Sequence, residues 1–150
     1  MRLSSLNLAP LLALSLSFYG MGQSDSTIVL QHRVMVNQLT AGEAGTVTLE
    51  LSVKEGFKIA KKPVPMLQLT PRPNFEVKTP IPFVEARAGT DPEYYGELKP
   101  LDIPVLAGKD LRPGQYELEG KLTYIYCSEK DKYCGRFATN IKIPIVVVKK

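Results

Sequence analysis

From Tyr116 onward the chain alternates. Tyr116, Leu118, Leu122, Tyr124 and Tyr126 occupy even positions, with Glu117, Glu119, Lys121 and Thr123 between them. Phe137, Ile141, Ile143, Ile145 and Val147 then occupy odd positions, separated by polar residues such as Arg136, Asn140 and Lys142. A period of two marks a strand with one buried face. Two such runs joined by the polar stretch Ser128–Tyr133 predict a β-hairpin, with strands near Gln115–Tyr126 and Arg136–Val148.

The same period recurs upstream. Val47, Leu49, Leu51 and Val53 alternate with Thr48, Glu50, Ser52 and Lys54, which is the clearest single strand. Ser26–Gln38 is strand-like but breaks alternation at Val29, so a bulge or a doubly buried strand is expected. Phe57–Ala60 is a short strand or bend after the Glu55-Gly56 turn. Lys61–Pro65 is excluded from a central strand, because proline lacks the ladder N–H. Met66, Leu67 and Leu69 resume the pattern. Phe75–Val77, Phe83–Glu85 and Leu98–Leu106 are further short strands between proline turns. No helical period follows residue 22. Seven to nine short strands with turn signals between them predict an all-β sandwich.

The N-terminus changes the compartment. Arg2, the apolar run Leu8–Phe18, and Gly20 and Gly22 before Gln23 form a signal peptide pattern. The expected organisation is residues 1–22 as signal peptide and 23–150 as one domain, periplasmic or secreted, with no membrane anchor after cleavage. The net charge of +4 is spread along the chain without a basic stripe, so nucleic acid is not an expected partner. The lone histidine, His32, reads as a packed or surface residue. No metal or other cofactor is expected, since two cysteines alone do not make a zinc site.

Those two cysteines, Cys127 and Cys134, close the hairpin. If Tyr124 and Phe137 face the core, parity places both cysteines on the outer face, opposite one another. Their expected Cα separation is disulfide range, about 4.4–6.8 Å. A second feature stands apart from the strands. Ala88–Gly96 has turn residues at both ends and adjacent Tyr94 and Tyr95 near its tip. One reading folds both rings back onto the sheet. The other makes the loop a cover, with Tyr94 or Tyr95 against a sulfur.

Taken together, Asp91-Pro-Glu-Tyr-Tyr-Gly96, the following strand, the Pro113-Gly114 turn and the Tyr124-x-x-Cys127 hairpin resemble the N-terminal periplasmic domain of the thiol:disulfide interchange protein DsbD. The likeness runs from roughly Gly45 to Val148. It implies an immunoglobulin-like β-sandwich whose redox pair is Cys127 and Cys134. It also implies a shielding cap loop of Glu93, Tyr94, Tyr95 and Gly96, with Tyr94 as the shielding ring. Cys134 is then the sulfur that meets the partner. Where that family carries tyrosines after the glycine bend, this chain has Lys58 and Ala60. The membrane conduit and thioredoxin-like domain of the family are not part of this sequence, so the expected partners are a membrane electron-conduit protein or thioredoxin-like periplasmic proteins.

Two functions compete on these residues. In the first, the pair performs thiol–disulfide exchange, with one cysteine attacked and its neighbour resolving the mixed disulfide. In the second, the chain is a non-catalytic secreted interaction module and the disulfide is a staple. Closing so short a loop contributes roughly 2.5 kcal/mol in the chain-entropy model.

Overall fold

Alternation in the sequence becomes register in the fold. The computed structural model describes residues 29–150. The expected signal peptide, residues 1–22, lies outside the described residues. The strands run β1 (Leu30–Val36), β2 (Gln38–Thr40), β3 (Ala44–Val53), β4 (Phe57–Ile59), β5 (Met66–Leu69) and β6 (Phe75–Val77). They continue as β7 (Ile81–Pro82), β8 (Glu85–Arg87), β9 (Glu97–Leu98), β10 (Leu101–Ala107), β11 (Gly114–Ser128) and β12 (Tyr133–Val148).

One sheet has the order β1-β3-β10-β6 and is antiparallel throughout. The other has the order β2-β12-β11-β5-β7, with β4 added on β11; only its β2–β12 pair is parallel. β8 and β9 form a separate two-stranded ribbon. Val47, Leu49 and Leu51 of β3 and Leu101, Ile103 and Val105 of β10 share one core with Leu118, Leu122 and Tyr124 of β11 and Ile141, Ile143 and Ile145 of β12. Each is buried, and each such side chain contributes about 1.5–3 kcal/mol by leaving water. The protein is an all-β sandwich of the immunoglobulin-like kind. No helix among the described residues is long and apolar enough to cross a membrane.

The hairpin is longer at its closed end than the sequence pattern predicts. β11 and β12 pair without a register break from Gly114↔Val147 to Ser128↔Tyr133. Only Glu129–Lys132 turn between them. Asp131 N–H donates to Ser128 Oγ at 3.1 Å, Ser128 Oγ lies 2.8 Å from Asp131 Oδ2, and Lys132 takes the left-handed conformation at φ 53°. The expected bulge in the first strand is a register shift between Val34 and Val36.

Two upstream strands differ from expectation, the first of them because of a proline. Leu98–Leu106 is not continuous. It breaks at Lys99-Pro100, where Pro100 has no N–H and Lys99 N–H donates sideways to Val84 O at 2.8 Å. Phe83–Glu85 is likewise not a strand of its own. Ile81–Pro82 pairs at the sheet edge, Phe83 is buried after it, and the next strand starts at Glu85. With a third break at Asn37, which divides the first expected strand into β1 and β2, they raise the strand number among the described residues to twelve, above the expected seven to nine.

Candidate functional site

Cys127 and Cys134 are directly opposite in the β11–β12 ladder and are joined, with the sulfurs 2.00 Å apart. Their Cα atoms are 4.0 Å apart, which corrects the expected lower limit of about 4.4 Å. Directly opposed residues in the closer kind of antiparallel pair already stand about 4.5 Å apart, so a bond spanning such a pair sits at the short end. Both cysteines keep the outer-face parity, opposite to Tyr124 and Phe137. They are not equally exposed. Cys134 is exposed, whereas Cys127 is 9% exposed.

Burial of an outer-face residue needs a cover, and the next strands supply it. Phe57 to Ile59 pair with Ser128 to Tyr126, placing Lys58 opposite Cys127. Lys58, Cys127 and Cys134 therefore form one row across three strands of the outer face. Gly56 starts this arrangement. Its φ of 81° makes the turn, and its carbonyl accepts the Glu129 N–H at 2.9 Å, which seats the hairpin tip.

The cap loop continues the sheet one strand further. Ala60 N–H donates to Ile125 O at 2.9 Å on one side, and Ala60 bridges Tyr94 on the other. Lys61 N–H donates to Glu93 O and Tyr95 N–H to Ile59 O, both at 2.9 Å. Residues 93–95 thus behave as a short antiparallel strand, and the period of two divides the tyrosines. Tyr94 shares the outer face with Ala60, while Tyr95 turns inward with the buried Ile59. Tyr95 packs edge-on against Phe83, centroids 6.5 Å apart, and its hydroxyl reaches Phe83 O at 3.5 Å. Partial burial raises the Tyr95 phenol above its ordinary pKa. The inward reading holds for Tyr95, while Tyr94 stays on the outer face beside Ala60.

Tyr94 stands between two hollows. The first, about 570 Å³, is lined by residues including Lys61, Lys62, Glu93, Tyr94, Ile125 and both cysteines. The second, about 320 Å³, is lined by residues including Lys58, Asp91, Tyr94, Lys132 and both cysteines. A ring that walls both hollows, each of which reaches both cysteines, lies across the approach to the disulfide. Ala60 stands opposite Tyr94 and lines the first hollow with it, where its small side chain leaves room. Lys58 holds the ring from the other side, with Nζ 5.5 Å from its centroid and 3.2 Å from Glu129 Oε1.

The loop is also tied at its base. Gly96 N–H donates to Glu85 Oε1 at 2.7 Å, and Lys61 Nζ lies 2.8 Å from Glu85 Oε2. The Gly96 amide, and after it the Lys61 ammonium, hold the Glu85 carboxyl below its ordinary pKa. At the loop's start, Asp91 Oδ1 accepts the Glu93 N–H at 3.0 Å, an Asx turn ahead of Pro92. Gly96 has no room for a side chain, because a Cβ there would collide with Arg87 O and Gly89 N.

Sequence reasoning reached Cys127, Cys134, Glu93, Tyr94, Tyr95 and Gly96, and the fold brings the cap segment up to the pair. It missed Glu85 and the roles of Lys58 and Lys61, whose partners are distant in the chain. His32 is exposed on β1 and lines neither hollow. Among the described residues, no cluster of three or more His, Cys, Asp or Glu stands ready to hold a metal ion.

No protein-family model matches the chain, and no curated protein matches it. Among solved structures, it is similar to a cohesin module from a Clostridium perfringens family 33 glycoside hydrolase, at 11% identity and TM-score 0.39, covering 81% of this chain and 98% of that one. It is also similar to AggA, the major subunit of aggregative adherence fimbriae type I from Escherichia coli, at 14% identity and TM-score 0.35, covering 81% and 95%. Likeness at this level carries no function across.

Proposed function

We propose that this chain is an exported thiol:disulfide interchange domain of the kind found at the N-terminus of DsbD, working through Cys127 and Cys134. The observation that supports this reading is the placement of the disulfide. It lies on the outer face of the sandwich, with one exposed cysteine, and it shares two hollows with a ring that belongs to a separate loop. A bond that served only to staple the core has no use for an aromatic cover.

The exchange runs as follows. A partner thiolate attacks the sulfur of Cys134, the exposed member. The Cys127–Cys134 bond breaks, and Cys127 leaves as a thiolate. A second partner thiolate then attacks the partner sulfur of the mixed disulfide, releasing Cys134 and closing the partner's own disulfide. Two electrons have moved to this chain. In reverse, the Cys134 thiolate attacks a substrate disulfide and Cys127 resolves the product. Lys58, beside Cys127 in the outer-face row, favours the thiolate that leaves. The partners are thioredoxin-like periplasmic proteins or a membrane electron-conduit protein.

The test is the reduction potential of the pair against a glutathione or thioredoxin buffer. A value above about −300 mV is expected. A value well below it assigns the disulfide to the second reading, a structural staple in a secreted interaction module.

A further inference from the structure

We propose that Glu85 is the positioning residue of the cap, holding the Gly96 amide with one oxygen and the Lys61 ammonium with the other, and that it sets how often Tyr94 lifts off the disulfide. The biological use of this control rests on the exchange reading. The control itself does not, because it concerns access to a bond that is present in either case.

The argument is one of position. Glu85 begins β8, outside the cap segment and outside both hollows. Its two oxygens join the two ends of the arrangement that carries Tyr94. Gly96 is where the cap segment ends. Lys61 is part of the backbone that the cap pairs with, since its N–H donates to Glu93 O at 2.9 Å. One carboxylate therefore crosses the same gap that residues 93–95 bridge by backbone bonds. The Lys61 ammonium also lies over the inward ring, 5.8 Å from the Tyr95 centroid. Tyr95 remains docked in the core, so the loop does not leave as a whole. What is free to move is the outward side, and its freedom depends on whether residues 93–95 stay paired with 59–61. The other charged pair nearby, Arg87 and Glu97 at 3.9 Å on the β8–β9 ribbon, is exposed and makes no bond to the cap segment. Side-chain exposures of 29% for Lys61 and 20% for Glu85 place their ion pair among the most shielded here, where charge-assisted bonds keep more of their strength.

The experiment measures the rate at which a water-soluble trialkylphosphine reduces the folded, oxidised protein. The phosphine attacks one sulfur, the S–S bond breaks, and water supplies the oxygen of the phosphine oxide, leaving two thiols. Tyr94→Ala, Glu85→Ala and the double variant are compared with the parent. Glu85→Ala is expected to raise the rate about tenfold, the weight of one charge-assisted hydrogen bond. In the Tyr94→Ala background, Glu85→Ala is expected to add nothing, since no ring remains to be positioned. An unchanged rate in Glu85→Ala overturns the proposal. So does an equal rise in both backgrounds, which would mark a charge effect on the reductant or a general loosening. If Glu85→Ala does not fold, Lys61→Gln serves: it leaves the Gly96 bond and removes the ammonium. It is expected to give a smaller rise that Tyr94→Ala also cancels, and no rise overturns the proposal. Failure of the exchange reading shows instead in the reduction potential, which these rates do not measure.

Discussion

Tyr94 and Tyr95 differ by one position on an extended segment, and that position sends one ring outward, to the hollows that the cysteines also line, and the other inward against Phe83. Their truncations should therefore separate. Tyr94→Ala is expected to speed reduction of the disulfide while leaving the unfolding midpoint nearly unchanged. Tyr95→Ala is expected to cost about 2–3 kcal/mol, as removal of a packed aromatic does, and urea titration measures it. The two-tyrosine deletion would mix these effects. Glu85 gives a second prediction, through pH. Its carboxyl titrates lower in the folded protein than in the unfolded chain. The stabilisation is therefore complete above the ordinary carboxylate value of about 4.3 and is lost as pH falls through the lower folded value. The Tyr95 phenol, raised above its ordinary value, stays neutral across that window. The rate of phosphine reduction, taken relative to Tyr94→Ala at each pH, is expected to climb towards one at the acid end. In Glu85→Gln the ratio should start higher and stay flat. Lys58 gives a third prediction. In the reduced protein, Lys58→Met is expected to raise the pKa of the more acidic thiol, read from the pH dependence of alkylation, because an ammonium beside a cysteine favours its thiolate.

At the scale of elements, the cap is a strand, and it obeys strand rules. Ala60 faces Tyr94 across the bridge, so Ala60→Leu should push the ring away and raise the reduction rate, with the core behind it intact. Circular dichroism and the reduction rate on one sample check both halves of that statement. The same rules explain what was legible beforehand. The long hairpin was readable because its apolar residues keep one parity over its length, and the same parity placed both cysteines outside. The loop stood out by its turn residues and adjacent tyrosines, and the resemblance favoured the cover over the inward reading. That it pairs with residues 59–61 was not readable, since three residues on a turn-rich loop carry no period. Glu85 and Lys61 were hidden for a related reason. Their bond joins positions 24 residues apart, and nothing local distinguishes Glu85 from the other surface glutamates. The break at Pro100 was not legible because apolar residues continue across the proline while the ladder cannot.

For the whole molecule, the disulfide closes a loop already zipped by the β11–β12 ladder. Reduction should lower stability by no more than roughly 2.5 kcal/mol and leave a folded sandwich, which urea midpoints of the oxidised and reduced forms will show. The core draws on both sheets and needs neither sulfur. One consequence concerns recognition. The turn Glu129–Lys132 is all the chain that the bond encloses between paired strands, so opening it slackens a few residues and no more. On the exchange reading, the oxidised and reduced forms then present the same outline, and a partner has no altered shape by which to sort them. Flow through the domain would follow the supply of partners on either side.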